Sequence, residues 1–264
     1  MTPIQLAQWI EASKAEAQYL HGEALNAADT WISPTYRYFY LGTPKVACSK
    51  IKIVLQQLAG YPLPPNPLRV HFRDTPGLSF VPSISDFSTR DAVEILTSPE
   101  WFRFCFVRNP YSRLLSGYKS QVMDLTSPYV GFRELIRKKA GYPTPPNSTP
   151  RMVGFRDFVR YIGEQSDDDR DGHWRSQTGT LHMEAIQYDF VGRMESFAHD
   201  FTDVLKRFSA PAELIASVPQ PVNTTQRIPL AVAYDIQLAD YVYGIYKDDF
   251  EAFDYDRDSW MTDA

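Results

Sequence analysis

The chain has 264 residues, 44% of them hydrophobic and 22% charged, which excludes disordered and fibrous chains and fits one large α/β domain or two small ones. No charge-free apolar stretch approaches the roughly 18–20 residues that cross a bilayer, and Glu11, Lys14 and Glu16 stand where a signal peptide would carry its apolar block. The net charge of −5 is unevenly spread: residues 247–264 hold seven acids against Lys247 and Arg257, while residues 103–160 hold eleven Lys and Arg against Asp124, Glu134 and Asp157. Residues 3–29 have the spacing of an amphipathic helix. Tyr36 to Leu41 is short, aromatic and bounded by Pro34 and Gly42, which predicts a buried strand. Ile51, Val54, Leu55 and Leu58 recur at helical spacing until Gly60 and Pro62 stop the helix. After a Pro-rich turn, a second strand is predicted around Leu68 to Phe72, then a helix near 88–97 and a third strand from Phe104 to Val107. Asn109 and Pro110 make an N-cap and first-turn pair for the next helix. Further helices are predicted at 130–140, 153–163, 196–208 and 230–252, a strand near Asp189 to Val191, and a surface loop from Tyr142 to Pro150. Strands alternating with helices predict an α/β fold with a central, mostly parallel sheet. With no internal repeat, 1–264 reads as a single domain with an N-terminal helix at 1–30 and an acidic C-terminal tail at 247–264.

Two strand-to-helix turns carry the chemistry. Gly42-Thr-Pro-Lys-Val-Ala-Cys-Ser49 occupies the place of a P-loop without obeying G-x-x-x-x-G-K-[ST]: Ala47 replaces the second glycine, Cys48 the lysine, and Ser49 keeps the hydroxyl position. The lysine is displaced into the loop as Lys45. The helix beginning near Ser49 still offers unpaired N–H groups and a positive dipole end to an anion, without the lysine–magnesium arrangement of a triphosphate site. The plain alternative is a surface turn with a solvated lysine. In Phe106-Val-Arg-Asn-Pro-Tyr-Ser-Arg-Leu-Leu-Ser-Gly-Tyr118, Arg108 falls at the carboxyl end of a strand, where α/β sheets place their ligand crevice. Tyr111, Leu114, Leu115, Tyr118 and Val122 share one helix face; Ser112, Arg113, Ser116 and Ser120 share the other, and Gly117 leaves that polar face open. An arginine fork with a serine hydroxyl suits a phosphomonoester dianion, although alone it reads as an exposed helix with a surface arginine. Two such turns, about 60 residues apart on a parallel sheet, suit a ligand with two separated anionic groups, and so does the basic 103–160 segment.

Residues 44–52 (PKVACSKIK) resemble the 5′-phosphosulfate loop of the carbohydrate sulfotransferases of the chondroitin/dermatan type, and residues 106–118 resemble their 3′-phosphate motif. His173 to Gln177, Tyr188 to Glu195 and Ile245 to Tyr255 are similar to the same branch, so the likeness spans roughly residues 36–255. The resemblance implies a P-loop-like three-layer fold, helices flanking the sheet, and 3′-phosphoadenylyl sulfate (PAPS) as sulfuryl donor with no metal required. By position, Pro44, Lys45, Val46, Ala47, Cys48, Ser49 and Lys50 would hold the 5′-phosphosulfate, and Arg108, Arg113 and Ser116 the 3′-phosphate. The implied acceptor is a carbohydrate hydroxyl. The animal members carry Thr-Asn-Trp where this chain has Ser49-Lys50-Ile51, and they have a membrane anchor and disulfides. Cys48 and Cys105 alone make neither a disulfide framework nor a four-ligand zinc site, so the reducing cytoplasm is the expected compartment.

Sulfuryl transfer asks for a base at the acceptor hydroxyl, a cation at the leaving oxygen and tight positioning. Lys45 is the candidate cation. His71, expected at the end of the second strand, is the first candidate base, ahead of His173 and of a carboxylate such as Asp74 or Asp86; His199 reads as structural. His173, Arg175 and Gln177 are expected on the acceptor or adenine side, with a polar loop as the plain alternative. Arg137, Lys138 and Lys139 read as a solvated helix face within reach of an anionic acceptor, and Asn223, Thr224 and Thr225 reach the donor phosphates on the family pattern alone. Two other functions fit the same turns: a P-loop nucleotide kinase or NTPase, and a nucleotide- or polysaccharide-binding module without turnover. Nucleic acid is not an expected partner, because the domain is not basic overall.

Overall fold

A computed structural model describes residues 2, 4–11, 29–71, 77–127, 129–142, 152–220 and 228–262, with Leu68 described by its backbone alone. Residues 12–28 of the expected N-terminal helix, most of the 142–150 loop, Asp74 and Asn223 to Thr225 lie outside them. The strands are β1 (Thr30–Ser33), β2 (Tyr38–Leu41), β3 (Phe102–Val107) and β4 (Phe190–Arg193). The helices are α1 (residues 4–11), α2 (Cys48–Leu58), α3 (Thr89–Thr97), α4 (Pro110–Gly117), α5 (Val130–Lys139), α6 (Phe155–Gly163), α7 (Gln177–Thr180), α8 (Phe197–Arg207), α9 (Ala212–Ser217), α10 (Leu230–Ala233), α11 (Ile236–Ile245) and α12 (Lys247–Ala252). None among the described residues is long and apolar enough to cross a membrane. The chain divides into two compact units: Met1–Val107 with Thr180–Asn223, and Arg108–Gly179 with Thr224–Ala264.

The first unit holds the sheet, in the spatial order β1-β2-β3-β4. β1 runs antiparallel to β2, whereas β2–β3 and β3–β4 are parallel, with Leu41 beside Cys105 and Val107 beside Arg193. β1 and β2 bury every residue, as strands covered on both faces do. On one face Tyr38, Tyr40, Phe104 and Phe106 cluster with Ile51, Val54 and Leu55 of α2 and Phe201, Val204 and Leu205 of α8, all at most 2% exposed. At roughly 1.5–3 kcal/mol for each fully buried large apolar side chain, this cluster is what holds α2, and the loop before it, onto the sheet. Gln56, fully buried on α2, donates to the carbonyls of Pro62 and Ser79 and accepts from Val81 N, which ties the following segment to the same helix.

Over its described residues the strand expected at Leu68 to Phe72 is not found: Pro67–His71 is a 3-10 helix. Pro67 cannot donate to a strand ladder, and the bond from Arg69 N to Asn66 O closes a tight turn in its place. The mostly parallel sheet instead takes its fourth strand from β1, four residues that make a hairpin with β2 across a turn in which Arg37 holds φ 48°.

The second unit is helical. α4 runs into a π-helical turn, Tyr118–Met123, and Tyr111, Leu114, Leu115, Tyr118 and Val122 are all buried as the spacing predicts. They pack with Phe158, Trp174, Tyr234, Val242 and Phe250. The helix expected over 230–252 is broken into α10, α11 and α12; at the first break the Asp235 side chain accepts from Leu238 N and starts α11 afresh. Nor is the acidic end simply a solvated tail. Phe250 and Phe253 are buried, and Asp249, fully buried, accepts from Gln177 N, Thr178 N and Thr178 Oγ1. Burial pushes its carboxyl above the ordinary range, and those bonds oppose the push.

Candidate functional site

Residues 42–47 join β2 to α2 in the first unit. A Cβ at Gly42 would stand 2.3 Å from Asp29 Oδ2, so only glycine lets the Asp29 carboxylate close against the start of the loop. Lys45 and Ala47 hold φ of 71° and 50°, an uncommon conformation for residues with a side chain. Val46 between them is fully buried in the sheet core and anchors the turn, while Lys45 is half-buried. Ala47 has no side chain to cap α2, which leaves the first-turn N–H groups and the positive end of the dipole for an anion. Thr43 Oγ1, buried in the same loop, makes no hydrogen bond to a described residue, so the loop contains an unused donor as well. Lys50 is turned elsewhere: its Nζ donates to Ser217 O at 2.6 Å, and burial lowers its pKa. Burial pushes the Cys48 thiol up, keeping this first residue of α2 neutral.

His71 meets α2 at two points. Its Nε2 lies 2.7 Å from Ser49 Oγ and its Nδ1 2.9 Å from Lys52 Nζ. Lys52, 1% exposed, is ion-paired with Asp29. Neither Asp29 nor Lys52 is among the residues singled out from the sequence. For Lys52 a signal exists, a lysine inside the run Ile51, Ile53, Val54 and Leu55 that is otherwise apolar and buried; Asp29 carries none. The candidate base Asp86 is occupied as a cap, accepting from Ser83 N at 2.7 Å at the head of the 3-10 turn Ile84–Asp86.

In the second unit Arg108 stands just before α4. Fully buried Gln177 holds its backbone from both sides, accepting from Arg108 N at 2.9 Å and donating to Arg108 O at 2.8 Å. Asp249 in turn accepts from Gln177 N, so the acidic end of the chain fixes this arginine's backbone. Arg108 Nε donates to Ser112 Oγ at 2.9 Å. Lys119 was not expected here; its pKa is lowered by burial first and then by the charge of Arg108. Seven positions after Ser112, Lys119 falls on the same helical stripe as half-buried Ser116. Asn109 Oδ1 accepts from Tyr111 N and Ser112 N, so α4, unlike α2, has its N-terminus capped and offers an anion side chains in place of amides.

Arg113 takes another part than expected. It is 2% exposed, and its guanidinium donates to Arg175 O at 2.7 Å and Gly172 O at 3.0 Å, bracing the 172–175 turn. A Cβ at Gly117 would stand 3.1 Å from His173 O, so the chain's own backbone covers the spot expected to be open to a ligand. Arg175 pairs with Asp167 and Asp168. His173 Nδ1 lies 2.7 Å from Asp171 Oδ1, and Tyr129 Oη donates to Asp171 Oδ2 at 2.8 Å. Burial would raise the Asp171 carboxyl, yet the bonds from His173 and Tyr129 hold it below the ordinary carboxylate range. A carboxylate against Nδ1 keeps the ring proton there and leaves Nε2 as the proton acceptor. An ammonium, which only donates, makes His71 Nδ1 the acceptor and Nε2 the N–H. The two candidate bases therefore meet opposite partners at Nδ1, a carboxylate for His173 and an ammonium for His71.

Residues 28–256 match the model of a family described as the sulfotransferase family. Carbohydrate sulfotransferase 14 of Danio rerio is 29% identical over 182 residues, covering 68% of this chain and 48% of that protein. The Homo sapiens carbohydrate sulfotransferase 14 is 31% identical over 182 residues, covering 68% and 46%. Carbohydrate sulfotransferase 11 of Danio rerio is 25% identical over 242 residues, covering 87% of this chain and 68% of that protein. The chain thus spans about half the length of the carbohydrate sulfotransferase 14 relatives it matches. No solved structure matches significantly.

Proposed function

The chain belongs to the sulfotransferase family, and from that premise we propose that it moves a sulfuryl group from PAPS to a hydroxyl of a carbohydrate acceptor. The observation that carries the reading is the β2–α2 turn: a helix N-terminus with no side-chain cap, a lysine inside the loop and a buried hydroxyl with no described partner. We take 1–264 as one sulfotransferase domain, because the family match runs through both units. A cytoplasmic setting belongs to the proposal on cysteine usage alone.

In the transfer, the bond from sulfur to the 5′-phosphate oxygen breaks as the acceptor oxygen bonds to sulfur. The hydroxyl proton passes to a base, and 3′,5′-ADP leaves. Lys45 and the first amides of α2 stabilise the charge that grows on the leaving oxygen. Arg108 and Ser116, joined by Lys119, take the 3′-phosphate, since two cations and a hydroxyl match a dianion. His173 Nε2 accepts the proton, with Asp171 steadying the imidazolium that results. The loop supplies its own cation, and no step is assigned to a metal.

Ligand-induced thermal stabilisation tests the donor site, since a ligand that binds only the native state adds RT ln(1 + [L]/Kd). We expect 3′,5′-ADP to stabilise the protein in the presence of a chelator, and Lys45→Ala and Arg108→Ala to weaken that binding. Transfer of labelled sulfate from PAPS to a glycan panel should give product, with His173→Gln lowering kcat about 10²–10⁴-fold at unchanged donor affinity. Stabilisation by ATP–magnesium alone would replace the transferase with a kinase. Tight 3′,5′-ADP binding with no product from any acceptor would leave a binding module.

A further inference from the structure

In the first unit Asp29, His71 and two residues one turn apart on α2, Ser49 and Lys52, form one hydrogen-bonded line: Asp29, Lys52, His71 and Ser49. Each link has only one direction available. Lys52 is 1% exposed and ion-paired with Asp29. An ammonium has no lone pair, so at 2.9 Å from His71 Nδ1 it must donate and Nδ1 must accept. A neutral imidazole carries one proton, which then sits on Nε2, 2.7 Å from Ser49 Oγ. Ser49 Oγ therefore accepts from His71, and its own proton is left to point away from the imidazole.

We propose that Asp29 and Lys52 are positioning residues that lock His71 as an Nε2–H donor, and that the line as a whole turns the Ser49 hydroxyl into a donor aimed at an anionic oxygen. This rests on the reading of residues 42–50 as the loop that holds the 5′-phosphosulfate. Ser49 is the second residue of α2, among the amides that the Ala47 cap leaves open, so its proton adds to theirs at the one place where a phosphate or sulfonate oxygen would sit. The polarity also explains why a histidine beside the loop need not be the base: the nitrogen that could take a proton is the one Lys52 covers. No bond is made or broken in the line; it sorts protons so that every donor points towards the anion. A serine hydroxyl that accepts from nothing could rotate its proton to any neighbour, and the His71 N–H removes that choice.

The direct test is the protonation pattern of His71 in the whole protein, read from two-bond proton–nitrogen couplings with labelled histidine near neutral pH and assigned by loss of signals in His71→Asn. A protonated Nε2 with a bare Nδ1 is expected, and Lys52→Met should erase that preference. A protonated Nδ1, or an imidazolium, in the wild-type protein would overturn the proposal even if the Lys52 variant failed to fold. Binding provides the second arm, with 3′,5′-ADP as the probe. Ser49→Ala should weaken it about tenfold or more, and Lys52→Met should weaken it as well although Lys52 is not assigned to the ligand, with Lys52→Arg restoring part of the loss. Wild-type affinity in both Ser49→Ala and Lys52→Met would remove the role of the line. If the wild-type protein binds no 3′,5′-ADP while His71 shows the expected pattern, it is the donor assignment that fails.

Discussion

At Gly42 one added methyl group would reach an entire chain of interactions. A Cβ there meets Asp29 Oδ2 at 2.3 Å and Asp29 Cγ at 2.9 Å, and Asp29 has only two side-chain torsions with which to retreat. Retreat means leaving Lys52, whose ammonium is buried and needs its partner. Breaking a buried pair costs about 3–5 kcal/mol and local overpacking about 1–3 kcal/mol. Gly42→Ala is expected to lose roughly 2–4 kcal/mol of unfolding free energy after partial relaxation, measured by denaturant titration; unchanged stability would mean that Asp29 finds a second place to sit. The same residues show what a sequence can reveal at this scale. Lys45, Ser49 and Arg108 announce themselves because their chemistry is written in short-range spacing, a strand end followed by a helix start. Asp29, Lys52 and His71 are brought together by folding alone, and no local pattern records their meeting. His71 was legible as a residue near the loop but not as a donor, since its proton is placed by a lysine nineteen positions away. Arg113 misled because its i+5 position after Arg108 looks polar, whereas the carbonyls of Gly172 and Arg175 supply it with a buried berth.

Elements form where local signals agree with the neighbours they meet. α4 is the clearest instance. Asn109 is 2% exposed, its Oδ1 accepts from Tyr111 N at 3.0 Å and Ser112 N at 3.4 Å, and its Nδ2 donates to Ser259 Oγ at 2.7 Å. Asn109→Ala removes the cap and the tie together, so a loss of about 1–2 kcal/mol is expected in urea unfolding, with Asn109→Asp recovering most of it because the cap needs only the oxygen. A wild-type midpoint for Asn109→Ala would show the helix to be held by Tyr111 and Leu115 packing alone. This N-cap was readable in the sequence because Asn followed by Pro satisfies the orphan amides locally. The strand expected at Leu68 to Phe72 failed for the opposite reason: Leu, Val and Phe looked like a ladder edge, but the prolines at 64, 65 and 67 had already bent the chain into a 3-10 turn. β1 was missed because four residues are too few to show an alternation, and its pairing with β2 is a tertiary event.

Over the whole molecule the aromatic composition sets a limit at high pH. In the first unit Tyr38, Tyr40 and Tyr188 have hydroxyls that burial holds well above their ordinary range. In the second unit the same holds for Tyr111, Tyr234 and Tyr246, and Tyr118 is pushed up to about 12. Above the ordinary tyrosine pKa of 10.0, the unfolded chain releases these protons while the folded chain keeps them. The unfolded state then binds fewer protons, so stability is complete below that pH and falls as pH rises through the range up to about 12 and beyond. Each such tyrosine removes up to about 1.4 kcal/mol per pH unit, so three or four in each unit remove about 4–6 kcal/mol per unit of pH against a total of about 5–15 kcal/mol. Both units are expected to unfold cooperatively within roughly one to three pH units above 10, with tyrosinate absorbance and the loss of helical circular dichroism rising together. Phenylalanine at Tyr118 would shift that midpoint upward by removing one of the titrating groups, because the hydroxyl lost gives up a single bond to Val153 O while the ring keeps its contacts with Phe155 and Phe158. Tyrosinate appearing gradually from pH 10 in a protein that keeps its helical signal would mean that these hydroxyls reach water in the folded state, and the cores of the two units would have to be looser than their packing implies.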